Sequence, residues 1–63
     1  MLTKREKQVL VMFSNGYDRK DVGRMLGISL EGVKSHTRAI RKKLDAANTV
    51  EAVARALREG MIE

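Results

Sequence analysis

One amphipathic segment, residues 30–44, constrains the fold of this chain more than any other feature. Its apolar positions recur at spacings of three and four, which is the period of one face of an α-helix. The residues of this seam are Leu30, Val33, Thr37, Ile40 and Leu44. Other elements have to cover the seam, and a chain of 63 residues without cysteine has room for one small core only. We therefore expect a single all-α domain over residues 1–63.

Three further segments show helical periodicity, and each begins after a residue suited to cap a helix. The predicted helices are residues 4–15 after Thr3, residues 19–26 after Asp18 and residues 49–59 after Asn48. Their apolar positions are expected to face the core, and they are Val9, Leu10, Met12, Phe13, Val22, Met25, Leu26, Val53, Ala56 and Leu57. The chain is thus expected to form four helices.

The connection between the second and third helices is very short. Only Gly27, Ile28 and Ser29 separate them, and two helices joined by such a turn form a helix-turn-helix. Gly23 lies inside the second helix, where glycine costs about 1 kcal/mol relative to alanine. We interpret this glycine as a position where another stretch of backbone comes very close.

Positive charge is concentrated on the third helix. The chain has 13 Lys and Arg against 8 Asp and Glu, a formal net charge of +5, and no acid interrupts residues 34–43. The cations of this stretch are Lys34, Arg38, Arg41, Lys42 and Lys43. All but Lys43 lie, with Ser35, opposite the apolar seam on a helical wheel. Such a run is typical of a surface that binds a polyanion, and the preceding turn favours double-stranded DNA.

A helix-turn-helix presents the amino-terminal half of its second helix to base edges in the major groove. The side chains expected to contact bases are Glu31, Lys34, Ser35 and Arg38. Arg41 and Lys42 lie farther along the helix and are expected to contact phosphates. Ser29 at the helix start and Lys20 near an end of the second helix are also expected to point toward the DNA backbone.

Several short fragments of the chain follow one another at a characteristic spacing. They are Leu2-Thr3-Lys4-Arg5-Glu6, Val9-Leu10, Gly16, Leu26-Gly27-Ile28-Ser29, Val33-Lys34-x-His36, Ile40, Lys43-Leu44, Asn48, Glu51-Ala52-Val53 and Gly60-Met61-Ile62. In this order they resemble the LuxR/GerE-type helix-turn-helix domain, which is also the output domain of NarL/FixJ response regulators.

The resemblance implies a four-helix bacterial transcription-factor domain of the NarL/FixJ effector type. It implies a helix-turn-helix over about residues 18–38 and a fourth helix that serves as the dimerisation surface. It implies that Lys34, Ser35 and Arg38 face bases and that His36 and the neighbouring Thr37 lie close to phosphates. The expected dimer contacts are Val50, Ala54, Leu57, Arg58 and Met61.

Three positions depart from the pattern of the family. Gly32 stands where threonine is usual, so that a hydroxyl near the DNA backbone is missing, and Thr49 replaces an arginine. Gly23 replaces an alanine in the second helix. These departures bear on DNA affinity more than on the fold.

No arrangement typical of catalysis is present, because His36 is the single histidine and the acids form no catalytic pair. We expect no enzyme activity, cofactor, metal or small-molecule ligand. The lack of a long apolar run and of cysteine predicts no membrane span and a cytoplasmic location. RNA polymerase is a further candidate partner.

Two alternatives to a dimeric DNA-binding regulator stay open. One is a domain similar to region 4 of a sigma factor, and the other is a protein-interaction module that binds another regulator through the fourth helix. The sequence also leaves open whether the chain is a whole regulator or an output domain.

Overall fold

The computed structural model describes every residue from Met1 to Glu63 and contains only α-helices and turns. The four helices are α1 (Lys4–Ser14), α2 (Arg19–Leu26), α3 (Leu30–Leu44) and α4 (Thr49–Arg58). The all-α class and the order of the helices are confirmed, and α1 and α4 each end one residue earlier than predicted. None of these helices has both the length and the apolar composition needed to cross a lipid bilayer.

Side chains at the predicted caps hold the start of each helix. The Thr3 hydroxyl accepts from the Glu6 N–H at 3.1 Å, and the Glu6 carboxylate accepts in return from the Thr3 N–H at 2.9 Å. Asp18 and Asp21 form the same reciprocal arrangement at α2. The α3 cap is simpler, with the Ser29 hydroxyl accepting from the Gly32 N–H at 3.0 Å. Donors that a helix start leaves unpaired are thereby satisfied.

The core lies where the four helices meet, and the two chain ends contribute to it. Its buried apolar residues are Leu2, Val9, Leu10, Val22, Val33, Ile40, Leu44, Ala52, Ala56 and Ile62. Three residues expected to face this core are exposed, namely Met25, Leu30 and Leu57. Each lies at the edge of an apolar arc, beyond the part that a neighbouring helix covers. Periodicity in the sequence identifies which side of a helix faces the core. How much of that side is buried depends on the neighbouring helices.

Gly23 is confirmed as a point of close approach between α2 and the turn. A Cβ atom at this position would lie 3.0 Å from the Ile28 carbonyl oxygen and 3.4 Å from a methyl group of Val33. The Ile28 N–H donates to the Gly23 carbonyl at 2.9 Å, and Gly27 reverses the chain with φ +68°. The absence of a side chain at Gly23 therefore allows the turn and the start of α3 to pack closely against α2.

An ion pair between a buried carboxylate and an exposed lysine connects α1 to α3, and no sequence pattern indicated it. Glu6 is 5% exposed, and its carboxylate accepts from the Lys43 ammonium at 2.8 Å. The hydrogen bond from Lys43, followed by the one from the Thr3 N–H, holds the pKa of Glu6 below its ordinary value. Charge alone marks both residues as surface residues, and a separation of 37 positions gives no periodic signal of a contact.

The carboxyl end of α3 is held from α4. The Arg55 guanidinium donates to the Leu44 carbonyl at 2.8 Å and to the Asp45 carbonyl at 3.4 Å. Asp45 itself has a left-handed conformation, φ +53°, which ends the helix. Because α1 and α4 both contact this end, the carboxyl end of α3 has a defined orientation.

Candidate nucleic-acid interface

The outer face of α3 presents one continuous row of exposed side chains. We call this row the outer stripe, and it consists of Glu31, Ser35, Arg38 and Lys42, all of which are exposed. Spacings of four, three and four place these side chains in line along the helix. The opposite face carries Val33 and Ile40, which are fully buried in the core. One face of α3 therefore packs against the core, and the opposite face is exposed to solvent.

Lys34 and Arg41 lie beside the outer stripe rather than on it. Both are half-buried, which corrects their expected position opposite the seam. The Lys34 ammonium lies 3.6 Å from a carboxylate oxygen of Glu31. The Arg41 guanidinium donates to the Ala47 carbonyl at 3.4 Å, and its Nε is buried without a hydrogen-bond partner. These two cations thus border the stripe on the side of α4.

The opposite border of the outer stripe is less basic than the sequence suggests. Lys43 is paired with Glu6 at 2.8 Å and does not add a free positive charge. His36, one heptad earlier, lies on the same side of α3 and is half-buried. The five cations expected to act together therefore divide into Arg38 and Lys42 on the stripe, two residues beside it, and Lys43 in a structural contact.

Thr37 does not lie where a phosphate contact requires it. The residue is 6% exposed, and its hydroxyl donates to the Lys34 carbonyl at 2.9 Å. This position agrees with its place in the apolar seam. It corrects the expectation of a phosphate contact, because the only polar atom of the side chain is already paired inside the domain.

A cleft of about 700 Å³ separates the carboxyl half of the outer stripe from the loop before α4. Arg38, Arg41 and Lys42 line it, and Asp45 is the only acid among the lining residues. The cleft therefore concentrates positive charge where a helix lying in a groove would meet the DNA backbone.

The helix starts of α2, α3 and α4 surround a second hollow of about 560 Å³, which contains exposed Leu30. Lys20 also lines this hollow, while the Ser29 side chain is exposed at the α3 start. A Cβ atom at Gly32 would meet neighbours only at 3.5 Å or more. There is thus space for a Cβ atom at Gly32.

A second exposed row lies on α4 and just beyond its carboxyl end. It consists of the five residues expected to form a dimer contact, Val50, Ala54, Leu57, Arg58 and Met61, each of which is exposed. Val50 has 80% of its surface exposed, although it is an apolar residue within a helix. The row is accessible to a partner, and dimerisation stays a prediction.

Comparison with known proteins assigns the chain to a family. Residues 1–56 match the model of "Bacterial regulatory proteins, luxR family". The oxygen regulatory protein NreC of Staphylococcus haemolyticus is 33% identical over 63 residues, which are 100% of this chain and 29% of that protein. The transcriptional activator protein CarR of Pectobacterium carotovorum is 42% identical over 57 residues, 90% of this chain and 23% of CarR. The chain thus spans less than a third of these relatives.

Structural comparison agrees with the family match. The structure of the transcription factor GerE superimposes with a TM-score of 0.91 at 29% identity, covering 98% of this chain and 92% of GerE. The resemblance inferred from the sequence is therefore confirmed. The chain belongs to the LuxR family of bacterial regulatory proteins, as a helix-turn-helix DNA-binding domain.

Proposed function

We propose that this domain binds double-stranded DNA sequence-specifically, with α3 in the major groove, and thereby regulates transcription. The observation that carries the proposal is the outer stripe, a row of exposed polar and cationic side chains on a helix whose other face is core. A major groove about 12 Å wide admits one α-helix. Because α2 packs behind α3 at Gly23, α3 can enter the groove as the projecting helix of the pair.

The residues of the interface take different roles according to their position. Arg38, Lys34 and Ser35 contact base edges, since Arg and Lys donate to guanine O6 and N7 and Ser pairs with donors or acceptors. Phosphate contacts come from the residues around them, namely Lys20, Ser29, His36, Arg41 and Lys42. Arg41 suits this role because one long hydrogen bond holds its guanidinium in the free domain.

Dimerisation through α4 completes the proposal. The exposed row that includes Val50 and Leu57 can pack against the same row of a second copy around a two-fold axis. Two copies would then bind half-sites separated by about one helical turn. Relatives such as NreC and CarR are named as regulators, which supports a role in transcription. Such a role would place the domain in the bacterial cytoplasm, with RNA polymerase as a further candidate partner.

Two variants on the outer stripe test the proposal by separating base contacts from phosphate contacts. A target duplex is first selected from a random pool with the wild-type domain. Arg38→Ala should lose about 1–3 kcal/mol on this target and relax the base preference at one position. Lys42→Ala should weaken binding to target and random duplexes equally and reduce the slope of log K against log salt by about one.

Lys7→Ala is the matched control, since it removes an exposed cation of α1 and should leave the base preference unchanged. Binding of all variants to target and random duplexes with the same affinity would contradict the proposal. A wild-type domain whose binding to DNA does not depend on salt would instead favour the protein-interaction module.

A further inference from the structure

Glu31 is the one acid on an otherwise polar and cationic outer stripe. It lies in the first turn of α3, and 80% of its side-chain surface is exposed. A carboxylate at this position repels DNA phosphates and therefore lowers the affinity for every sequence. An acid in the first turn does stabilise a helix, but that effect does not require the residue to lie in line with Arg38 and Lys42.

The neighbouring cation gives this carboxylate a specific geometry. A carboxylate oxygen of Glu31 and the Lys34 ammonium lie 3.6 Å apart. This separation is close to the rise of about 3.4 Å between successive base pairs of B-DNA. An acceptor and a donor at this separation can contact two adjacent base pairs, and the ammonium partly offsets the repulsion between the carboxylate and nearby phosphates.

We propose that Glu31 determines sequence specificity by accepting a hydrogen bond from the N4 amino group of a cytosine, next to a guanine that Lys34 contacts. The inference rests on the proposed binding of α3 in the major groove. Guanine and thymine present acceptor atoms at this edge, which a carboxylate repels. Adenine offers an amino group, but its N7 acceptor lies beside it and faces the second carboxylate oxygen. Cytosine is the base that presents a donor and no acceptor of its own at the major-groove edge.

The test is selection of bound sequences from a random duplex pool with three variants beside the wild-type domain. Wild type should enrich cytosine beside a guanine, with a preference of about five- to a hundredfold over the other bases. Glu31→Gln should shift this position toward adenine, since a glutamine amide pairs with adenine N6 and N7. Glu31→Ala should leave the position without preference.

Glu63→Gln is the control, because it removes the same negative charge from an exposed residue outside α3. It should retain the cytosine preference of the wild type. All other positions of the selected sequence should stay unchanged in the Glu31 variants. If Glu31 had a purely structural role, both Glu31 variants would change the affinity for all sequences alike and would select the same sequence as the wild type.

The outcomes separate this inference from the proposed function. If wild type selects a sequence and both Glu31 variants select the same one, the role of Glu31 is refuted while sequence-specific binding stands. If wild type selects no sequence at all, the proposed function fails, and the inference fails with it.

Discussion

Replacing each of two helical glycines with alanine tests the packing of the helix-turn-helix, because the same change should have different results at the two sites. At Gly32, in the first turn of α3, an added Cβ would lie 3.5 Å from the Ile28 Cβ and 3.5 Å from the Ser29 hydroxyl. These are ordinary contacts, and the backbone N–H that Ser29 accepts from is retained. At Gly23 the same atom would lie 3.0 Å from the Ile28 carbonyl oxygen.

The expected magnitudes follow from these distances. Alanine is favoured over glycine within a helix by about 0.5–1 kcal/mol, and Gly32→Ala should gain this amount in the free energy of unfolding. For a domain of this size, the gain corresponds to an increase in Tm of about 3–8 °C. Gly23→Ala has the same helix preference, but the Ile28 carbonyl can retreat only if the turn shifts. Such a shift disturbs the hydrogen bond from the Ile28 N–H to the Gly23 carbonyl and the packing of Val33. We expect no net gain there, and a loss of up to about 1 kcal/mol.

Thermal and urea unfolding followed by far-ultraviolet circular dichroism measure both variants against the wild-type domain. Unchanged urea m-values would show that stability alone has changed. A Gly23→Ala domain as stable as Gly32→Ala would refute the close approach of α2 and the turn. A loss of stability in Gly32→Ala would refute the conclusion that the start of α3 has space for a Cβ atom.

Three further predictions concern the ion pair, the α3 terminus and α4. Because the Lys43 hydrogen bond lowers the pKa of Glu6, the associated stability is fully present above the ordinary pKa of 4.5 and is lost as the pH falls below it. Glu6→Gln should therefore lower the free energy of unfolding by about 1–2 kcal/mol near neutral pH and by less at about pH 3. Urea titrations that show the same loss at the two pH values would contradict this. Asp45→Gly should gain about 0.5–1 kcal/mol, since glycine adopts positive φ without strain, whereas equal stability of Asp45→Gly and Asp45→Ala would contradict this. Val50→Glu should weaken binding to a duplex with two half-sites but not to a duplex with one half-site. Val11→Glu on α1 is the control and should leave both affinities unchanged. Unchanged binding of Val50→Glu to the duplex with two half-sites would exclude Val50 from the dimer contact.

Local features of the sequence predicted the helices well. Capping residues such as Thr3 and Asp18 act on donors three residues away, so their effect can be read directly from the sequence. Gly27 and Gly23 of the helix-turn-helix could also be interpreted from the sequence. Gly27 adopts a positive φ that other residues rarely adopt, and Gly23 stands where a side chain would meet the Ile28 carbonyl. The bounds of α2 and α3 agree with the prediction residue for residue.

Contacts between helices could not be predicted from such local features of the sequence. The burial of Glu6 depends on Lys43 from another helix, and the burial of Ile62 depends on how the chain end folds back after α4. Leu30 lies on the predicted seam but at its first position, where no neighbouring helix covers it. At the interface, a helical wheel found the basic side of α3 but could not show that Arg41 turns toward the loop before α4.

Chemical footprinting of the selected duplex with dimethyl sulfate tests the central claim most directly. The reagent methylates guanine N7, which lies in the major groove, and adenine N3, which lies in the minor groove. If the outer stripe of α3 occupies the major groove, the bound domain protects guanine N7 atoms in each half-site and leaves adenine N3 reactive. Arg38→Ala restores reactivity at one guanine. Protection of adenine N3, with guanine N7 still reactive, would contradict the account.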